Sequence, residues 1–321
     1  MDTILVTGAA GFIGAAVSHA LLDRGDQIIG IDNLNDYYDV GLKQARLKRL
    51  TERAGFAFHQ ADISDRDAMM ALAGPRITHV VHLAAQAGVR YSLENPYAYV
   101  TANVMGQVVM LEMARALPGL KHFVYASSSS VYGANTKTPF AVGDAVDHPN
   151  SLYAATKRTD ELFGHTYAHL YGIPATGLRF FTVYGPWGRP DMAPILFATA
   201  IAAGKPIKVF NNGEMWRDFT YIDDIVSGVV KALDRPPSAM PPHAIYNLGN
   251  NRCEKLMDFI AALEQAMGRK AVMEMAPMQK GDVPATFADI DASTRDLGYA
   301  PTTPIGVGIH KFVDWFRAYY G

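Results

Sequence analysis

A β-branched apolar run, Thr3-Ile4-Leu5-Val6-Thr7, leads straight into Gly8-Ala9-Ala10-Gly11-Phe12-Ile13-Gly14. Such a run is typical of a strand buried on both faces. Ala15 to Arg24 then reads as a helix ended by Gly25, and a second buried run, Gln27-Ile28-Ile29-Gly30-Ile31, finishes on Asp32. Strand, glycine turn, helix, strand and terminal acid, all within about thirty residues, is the order of a dinucleotide-binding unit. One glycine permits the tight turn, one lets backbone approach a pyrophosphate, and one lets helix pack on strand. The helix N-terminus then faces the anion. A tight βα turn with no ligand is the plainer alternative, and Asp32 at the strand end, where a ribose contact belongs, argues against it.

The alternation continues. Val40 to Ala54 reads as a helix whose Lys43, Arg46, Lys48 and Arg49 suggest a solvated basic face. Phe56 to His59 is a short strand leading to Asp62-Ile63, and His79 to Ala85 is a strand ending in small residues that let a cofactor approach. Pro96 to Leu117 is a long helix, His122 to Ala126 a strand, Ser151 to Tyr171 a helix and Ala175 to Phe181 a strand. The pattern predicts an α/β fold, a Rossmann-type doubly wound parallel sheet with ligands beyond the carboxyl ends of its strands. After about residue 181, prolines break the chain into shorter pieces. Residues 1–180 are therefore expected to form the dinucleotide-binding domain and 181–321 mainly a smaller substrate-binding lobe, with a return to the sheet at about 216–246.

The composition sets outer limits. With 321 residues, 49% apolar and 19% charged, the chain is globular, and a net charge of -2 gives no reason to expect nucleic acid or a membrane surface. The single Cys253 excludes an intrachain disulfide and a cysteine-based zinc site. The N-terminal apolar run is short, glycine-rich and without a basic leader, so a soluble, cytoplasmic protein is expected.

Chemistry is concentrated in Ser127-Ser128-Ser129-Ser130-Val131-Tyr132-Gly133 and in Tyr153-Ala154-Ala155-Thr156-Lys157. A phenol and an ammonium four residues apart share one helix face. The ammonium favours phenolate, and a hydroxyl from the serine run completes a relay to a substrate oxygen. That set can take a proton from an alcohol while hydride leaves its carbon. A lone Tyr-x-x-x-Lys is common on amphipathic helices; the N-terminal unit supplies the context that makes it informative.

These residues together resemble the extended short-chain dehydrogenase/reductase superfamily and, within it, the nucleotide-sugar epimerases and dehydratases. The marks are Gly8-x-x-Gly11-x-x-Gly14, Asp32, Asp62-Ile63, Leu83-Ala84-Ala85, Asn103, Ser128, Tyr153 and Lys157. Asp32-Asn33-Leu34-Asn35-Asp36-Tyr37-Tyr38-Asp39, Gly185-Pro186-Trp187-Gly188-Arg189-Pro190-Asp191 and Arg217-Asp218-Phe219 narrow the likeness to the UDP-glucuronate 4-epimerases. The resemblance implies a resident NAD held by Gly8, Gly11, Phe12, Ile13, Gly14, Asp32, Asn33, Asp62, Ile63, Leu83, Ala84, Ala85, Asn103, Tyr153 and Lys157. It implies Tyr153 as base, Lys157 on the nicotinamide ribose and Ser128 on the reacting oxygen, although four successive serines leave the register open by one residue. It also implies a UDP-sugar held by Arg90, Ser129, Ser130, Thr182, Arg189, Arg217 and Asp282, no metal, and a homodimer formed through the helices near Pro96–Leu117 and Ser151–Tyr171. One departure stands out: galactose-type epimerases carry a second phosphate arginine where this chain has Gln279.

Plainer readings compete at several positions. Arg217 could pair with Asp218 or Asp223, and Arg189 could make a structural ion pair. Asp223-Asp224 suit a helix cap better than a metal site. His165 and His169 lack the glutamate of a zinc-protease motif and suit a solvated face. Met267, Met273, Met275 and Met278 suit packing. Among functions, a dehydratase or decarboxylase on the same scaffold would carry acids where Ser129 and Ser130 stand. A non-catalytic dinucleotide-binding scaffold would be expected to lack Tyr153 or Lys157.

Overall fold

The computed structural model describes residues 2–279 and 282–321. Seven strands form one parallel sheet: β1 (Thr3–Thr7), β2 (Gln27–Asp32), β3 (Phe56–Gln60), β4 (His79–His82), β5 (His122–Ser128), β6 (Ala175–Phe180) and β11 (His243–Leu248). Their order is β3-β2-β1-β4-β5-β6-β11, so the chain reverses direction across the sheet between β1 and β4. A crevice opens at such a reversal beyond the strand ends. The doubly wound fold expected from the sequence is thus present.

The connecting helices are α1 (Phe12–Asp23), α2 (Val40–Thr51), α3 (Arg66–Leu72), α4 (Tyr91–Glu94), α5 (Pro96–Tyr99), α6 (Gly106–Ala116) and α7 (Leu152–Tyr171). Because strand side chains alternate, each strand feeds two cores. Ile4, Val6, Val81 and Val124 pack with α1, while Leu5, Val80, Phe123 and Tyr125 pack with α6. The long helix expected over Pro96–Leu117 is interrupted: Val100–Met105 form a π-helical turn between α5 and α6. Strand β4 stops at His82, leaving Leu83 to Ala85 beyond the sheet, whereas β5 extends to Ser128 and carries two of the serines.

The rest of the chain supplies β7 (Thr182–Tyr184), α8 (Ala193–Ala203), β8 (Pro206–Phe210), β9 (Trp216–Arg217), β10 (Phe219–Tyr221) and α9 (Ile222–Leu233). After β11 come β12 (Glu254–Lys255), α10 (Leu256–Met267), β13 (Val272–Ala276) and α11 (Ile305–Tyr320). The segment that rejoins the large sheet is β11, paired parallel to β6 from His243–Ala175 to Leu248–Phe180; β9 and β10 instead join two-stranded sheets. Helix α9 packs against α1 on the sheet's face. Phe259, Ile260 and Phe312 of the C-terminal elements share one apolar cluster with Val6 and Leu178 of the sheet.

Three local expectations are corrected by packing. The basic face of α2 is not uniformly solvated: Arg46 is fully buried and Lys43 nearly so, whereas Lys48 and Arg49 are exposed. Asp224 does not cap α9; its carboxylate accepts hydrogen bonds from the Thr302 and Thr303 amides at 3.0 and 3.1 Å and pins the loop before α11. Met275 and Met278 are not packed inside but exposed: β13, which carries Met275, pairs only with β8, and Met278 lies beyond its end. Among the described residues, no helix is long and apolar enough to cross a membrane.

Candidate active site

The cleft beyond the strand ends has a volume of about 440 Å³. Its floor is the glycine turn. Gly8 adopts φ +72°, its carbonyl accepts from the Gly11 amide at 2.8 Å, and a Cβ on Gly14 would collide with that carbonyl oxygen. No side chain caps α1, so its first amides at Phe12, Ile13 and Gly14 are free to meet an anion at the cleft. Asp32 closes β2, accepting from the Ala10 amide at 3.1 Å and the Leu34 amide at 2.9 Å. Burial pushes its carboxyl up, against the pull of those amides and of Lys43 and Arg46. Asn33 donates to Asp62 at 2.9 Å, and Asp62, Ile63, Leu83, Ala84 and Ala85 continue the wall. A glycine cradle that tolerates no Cβ, an uncapped helix end and a terminal acid fit a dinucleotide.

Helix α7 brings the expected Tyr153–Lys157 pair to the cleft. Ser151 caps it by accepting from the Ala154 amide at 3.1 Å, which starts the helix so that Tyr153 and Lys157 both line the cleft. Lys157 is 4% exposed; its ammonium donates to the Ala126 carbonyl at 2.9 Å and to Asp160 at 3.0 Å. Along β5, Ser127 and Ser128 both border the cleft, but the Ser127 hydroxyl is committed to Glu161, to which it donates at 2.6 Å. The Ser128 hydroxyl accepts from the Ser130 hydroxyl at 2.9 Å and from the Ser130 amide at 3.2 Å. This geometry favours Ser128 over Ser127 as the hydroxyl beside Tyr153.

At the far end, Ser129, Ser130, Thr182, Arg189, Arg217 and Asp282 line the same cleft. Arg189 grips Asp191 through two hydrogen bonds, of 3.1 and 2.5 Å, and Tyr37 donates to the same carboxylate at 3.1 Å. Burial and Asp191 push the Tyr37 phenol up to about 12. Arg217 pairs with Asp282 at 2.7 Å, not with Asp218 or Asp223. Asp218 instead accepts from the Asn250 and Ala288 amides, and burial pushes it up to about 6. Gln279 is described, and its buried Oε1 has no partner among the described residues; Lys280 and Gly281 of the same motif lie outside them.

Two expected site residues do not line the cleft. Asn103 is 2% exposed and holds the Gln86 backbone at both its amide and carbonyl, with a further bond to Thr156 at 2.9 Å. It fastens the segment after β4 to α7 from behind. Arg90 lies outside, its guanidinium over the Phe210 ring and 4.0 Å from Asp282. Conversely, Tyr37, Tyr38 and Lys43 line the cleft, and Asp191 anchors Arg189. An aromatic pair just past the Asp32 turn was the available signal for the tyrosines. No local pattern marked Asp191 as the partner of Tyr37.

A model of the NAD dependent epimerase/dehydratase family matches residues 4–249. The chain belongs to this family. As a family member it is 49% identical to UDP-glucuronate 4-epimerase 4 of Arabidopsis thaliana, over 99% of this chain and 76% of that one. It is 47% identical to a probable UDP-glucuronate 4-epimerase of Rhizobium meliloti, over 98% and 97% of the two chains. Among solved structures, the UDP-glucuronic acid 4-epimerase of Bacillus cereus in complex with UDP-glucuronic acid and NAD superposes with a TM-score of 0.92 at 35% identity, covering 98% of this chain and 99% of that one.

Proposed function

We propose that this chain interconverts UDP-glucuronate and UDP-galacturonate by epimerisation at C4 of the sugar, with an NAD that it retains. The observation that carries the reading is full-length similarity to UDP-glucuronate 4-epimerases in a chain whose cleft brings Tyr153, Lys157 and Ser128 together with Ser130, Thr182 and Arg189.

When held at the glycine turn and Asp32, NAD would supply the reversible hydride acceptor that C4 epimerisation needs. Tyr153 accepts the C4 hydroxyl proton and later gives it back, Ser128 hydrogen-bonds the same oxygen, and Lys157 favours the phenolate and holds the nicotinamide ribose. Asp32 accepts from the free hydroxyls of the adenosine ribose and repels a 2′-phosphate, which selects NAD over NADP. Arg46 does not soften that choice, since all its donors are used elsewhere. Arg217 suits the UDP pyrophosphate, and Asp282, held by Arg217, suits the uridine ribose. Residues 1–180 carry most of the cofactor contacts and residues 181–321 most of the sugar contacts. The protein works in the cytoplasm as a homodimer, a state supported by exposed Tyr97, Val100, Leu162 and Leu170 on the helices assigned to the interface.

The 4-keto uronate is a β-keto acid, and it loses CO₂ readily when the C5–carboxylate bond stands perpendicular to the carbonyl plane. Ser129, Ser130, Thr182 and Arg189 hold the carboxylate near that plane without offering an acid to protonate an enolate. The test follows UDP-galacturonate and UDP-pentose in wild type, Tyr153→Phe, Ser130→Glu, Thr182→Ala and Arg189→Ala. Tyr153→Phe should keep its fold and NAD while losing roughly 10²–10⁴-fold in turnover. The three carboxylate variants should lose epimerisation and gain pentose. Wild type acting only on UDP-glucose, or variants that lose activity without any pentose or 4-keto product, would refute the uronate reading or the carboxylate restraint respectively.

A further inference from the structure

Helix α7 carries a buried carboxylate that the reaction set out above does not use. Asp160 follows Lys157 by one turn, is 2% exposed, and places Oδ2 3.0 Å from the Lys157 ammonium. Its Oδ1 is buried without a hydrogen-bond partner among the described residues. The other charged and titratable groups around it are accounted for. Glu161, its neighbour on α7, is held by Arg179 of β6, by Arg158 and by Ser127. Tyr125 of β5 is kept neutral by burial and by Glu161 and Asp160, and His82 of β4 by burial and Lys157. From α6, Gln107 donates to the Asp160 backbone carbonyl at 3.5 Å and leaves the carboxylate alone. Lys157 is therefore the cation that Asp160 answers to.

We propose that Asp160 is a positioning residue for the epimerisation: it seats the Lys157 ammonium between its own carboxylate and the Ala126 carbonyl, and its charge offsets part of the ammonium's pull on the Tyr153 hydroxyl. The inference rests on the reading of Tyr153 as the base. Two of the three ammonium hydrogens are committed to Ala126 and Asp160, which aims the third. A carboxylate paired with the ammonium also weakens the positive potential that the ammonium projects onto other groups in the cleft. Burial pushes the Asp160 carboxyl up to about 6, with Lys157 resisting. Asp160 thus carries its charge above about pH 6 and loses it below. As pH falls, the offset disappears and the ammonium charge stands alone beside Asp160, so the wild-type acid limb of kcat should be shallower than that of Asp160→Asn.

Asp160→Asn keeps an oxygen for Lys157 and removes the charge. Its acid limb of kcat should move to lower pH by roughly 0.5–1 unit and steepen toward a single-proton limb. NAD content should stay at the wild-type level, whereas Asp160→Ala, which removes the acceptor too, should lose NAD. A readout independent of turnover is the ultraviolet phenolate signal, taken as the difference between each protein and its Tyr153→Phe counterpart. That signal should appear at lower pH in Asp160→Asn. If Asp160→Asn does not fold, Asp160→Ser gives the same comparison. An unmoved acid limb and phenolate signal, or activity lost equally at all pH values, overturns the role of Asp160 while leaving Tyr153 as base. Activity retained by Tyr153→Phe overturns the base assignment and this inference with it.

Discussion

Arg46 offers the most direct test of how the glycine turn and the sugar loop are held together. Its guanidinium is fully buried on α2, and all five of its N–H donors are used. Nε and Nη2 reach the Trp187 carbonyl at 3.0 and 2.7 Å, and Nη2 also reaches that of Gly188 at 2.8 Å. Nη1 reaches the Ala10 carbonyl at 3.1 Å and the Tyr38 hydroxyl at 2.8 Å. One side chain thus ties the glycine turn to the loop that carries Arg189. Arg46→Met keeps much of the volume and strands the buried carbonyls of Ala10 and Gly188 and the half-buried carbonyl of Trp187. Each buried group left without its partner costs about 1–3 kcal/mol, and partial relaxation brings the expected total to about 3–5 kcal/mol. With an unfolding entropy of roughly 0.7 kcal/mol/K for a chain of this length, the melting temperature should fall by about 4–7 °C. Arg46→Lys should recover only part of this, because an ammonium has three donors and no planar fork. Thermal unfolding of the NAD-free proteins measures it directly, since bound NAD would add its own stabilisation. An Arg46→Met protein melting at the wild-type temperature, or a lysine variant equal to wild type, would show that these bonds do not hold the two loops together.

A second expectation concerns pH. His122 is fully buried, bonded to Thr176 at 2.8 Å and to the Leu233 carbonyl at 3.0 Å, and burial pushes it from 6.5 down to about 4. Between pH 6.5 and about 4 the unfolded chain takes up a proton there that the folded chain refuses, so stability falls with pH by up to about 1.4 kcal/mol per unit. Asp160 and Asp218, both pushed up to about 6, oppose the trend as pH falls, but equally in His122→Gln. Denaturant titrations should therefore show a shallower acid loss in His122→Gln, and parallel curves would contradict the buried neutral imidazole. As for assembly, Tyr97 is 82% and Val100 48% exposed. Tyr97→Glu with Val100→Glu should halve the mass seen by light scattering, and a wild type that already runs as a monomer would end the dimer reading.

What was legible in the sequence was what local rules govern. Buried parallel strands read as apolar runs, and the glycine turn is confined by backbone sterics to a few residues, so the six sheet strands through Phe180 and helices α1, α2 and α7 were visible before any packing, whereas α3 and α4 were not. Tyr153 and Lys157 were legible together because a helix has a fixed period. What separates the serines is tertiary: alternation along β5 commits the Ser127 hydroxyl to Glu161, while that of Ser128 accepts from Ser130. Arg46 and Lys43 looked solvated because charge patterns describe one helix, whereas Arg46 is held by a loop about 140 residues later and Lys43 by the turn at Asn35. The same holds for Tyr37 with Asp191, Asp224 with Thr302, and Arg217 with Asp282, partners separated by 65 to 154 residues. Asp160, though beside Lys157 in sequence, became informative only once the sheet had taken away its water and left one cation in reach. Local geometry is set by backbone sterics and hydrogen-bond periodicity over a turn or two. The partner of a buried charge is set by which distant segment excludes the solvent, and no short-range rule contains that.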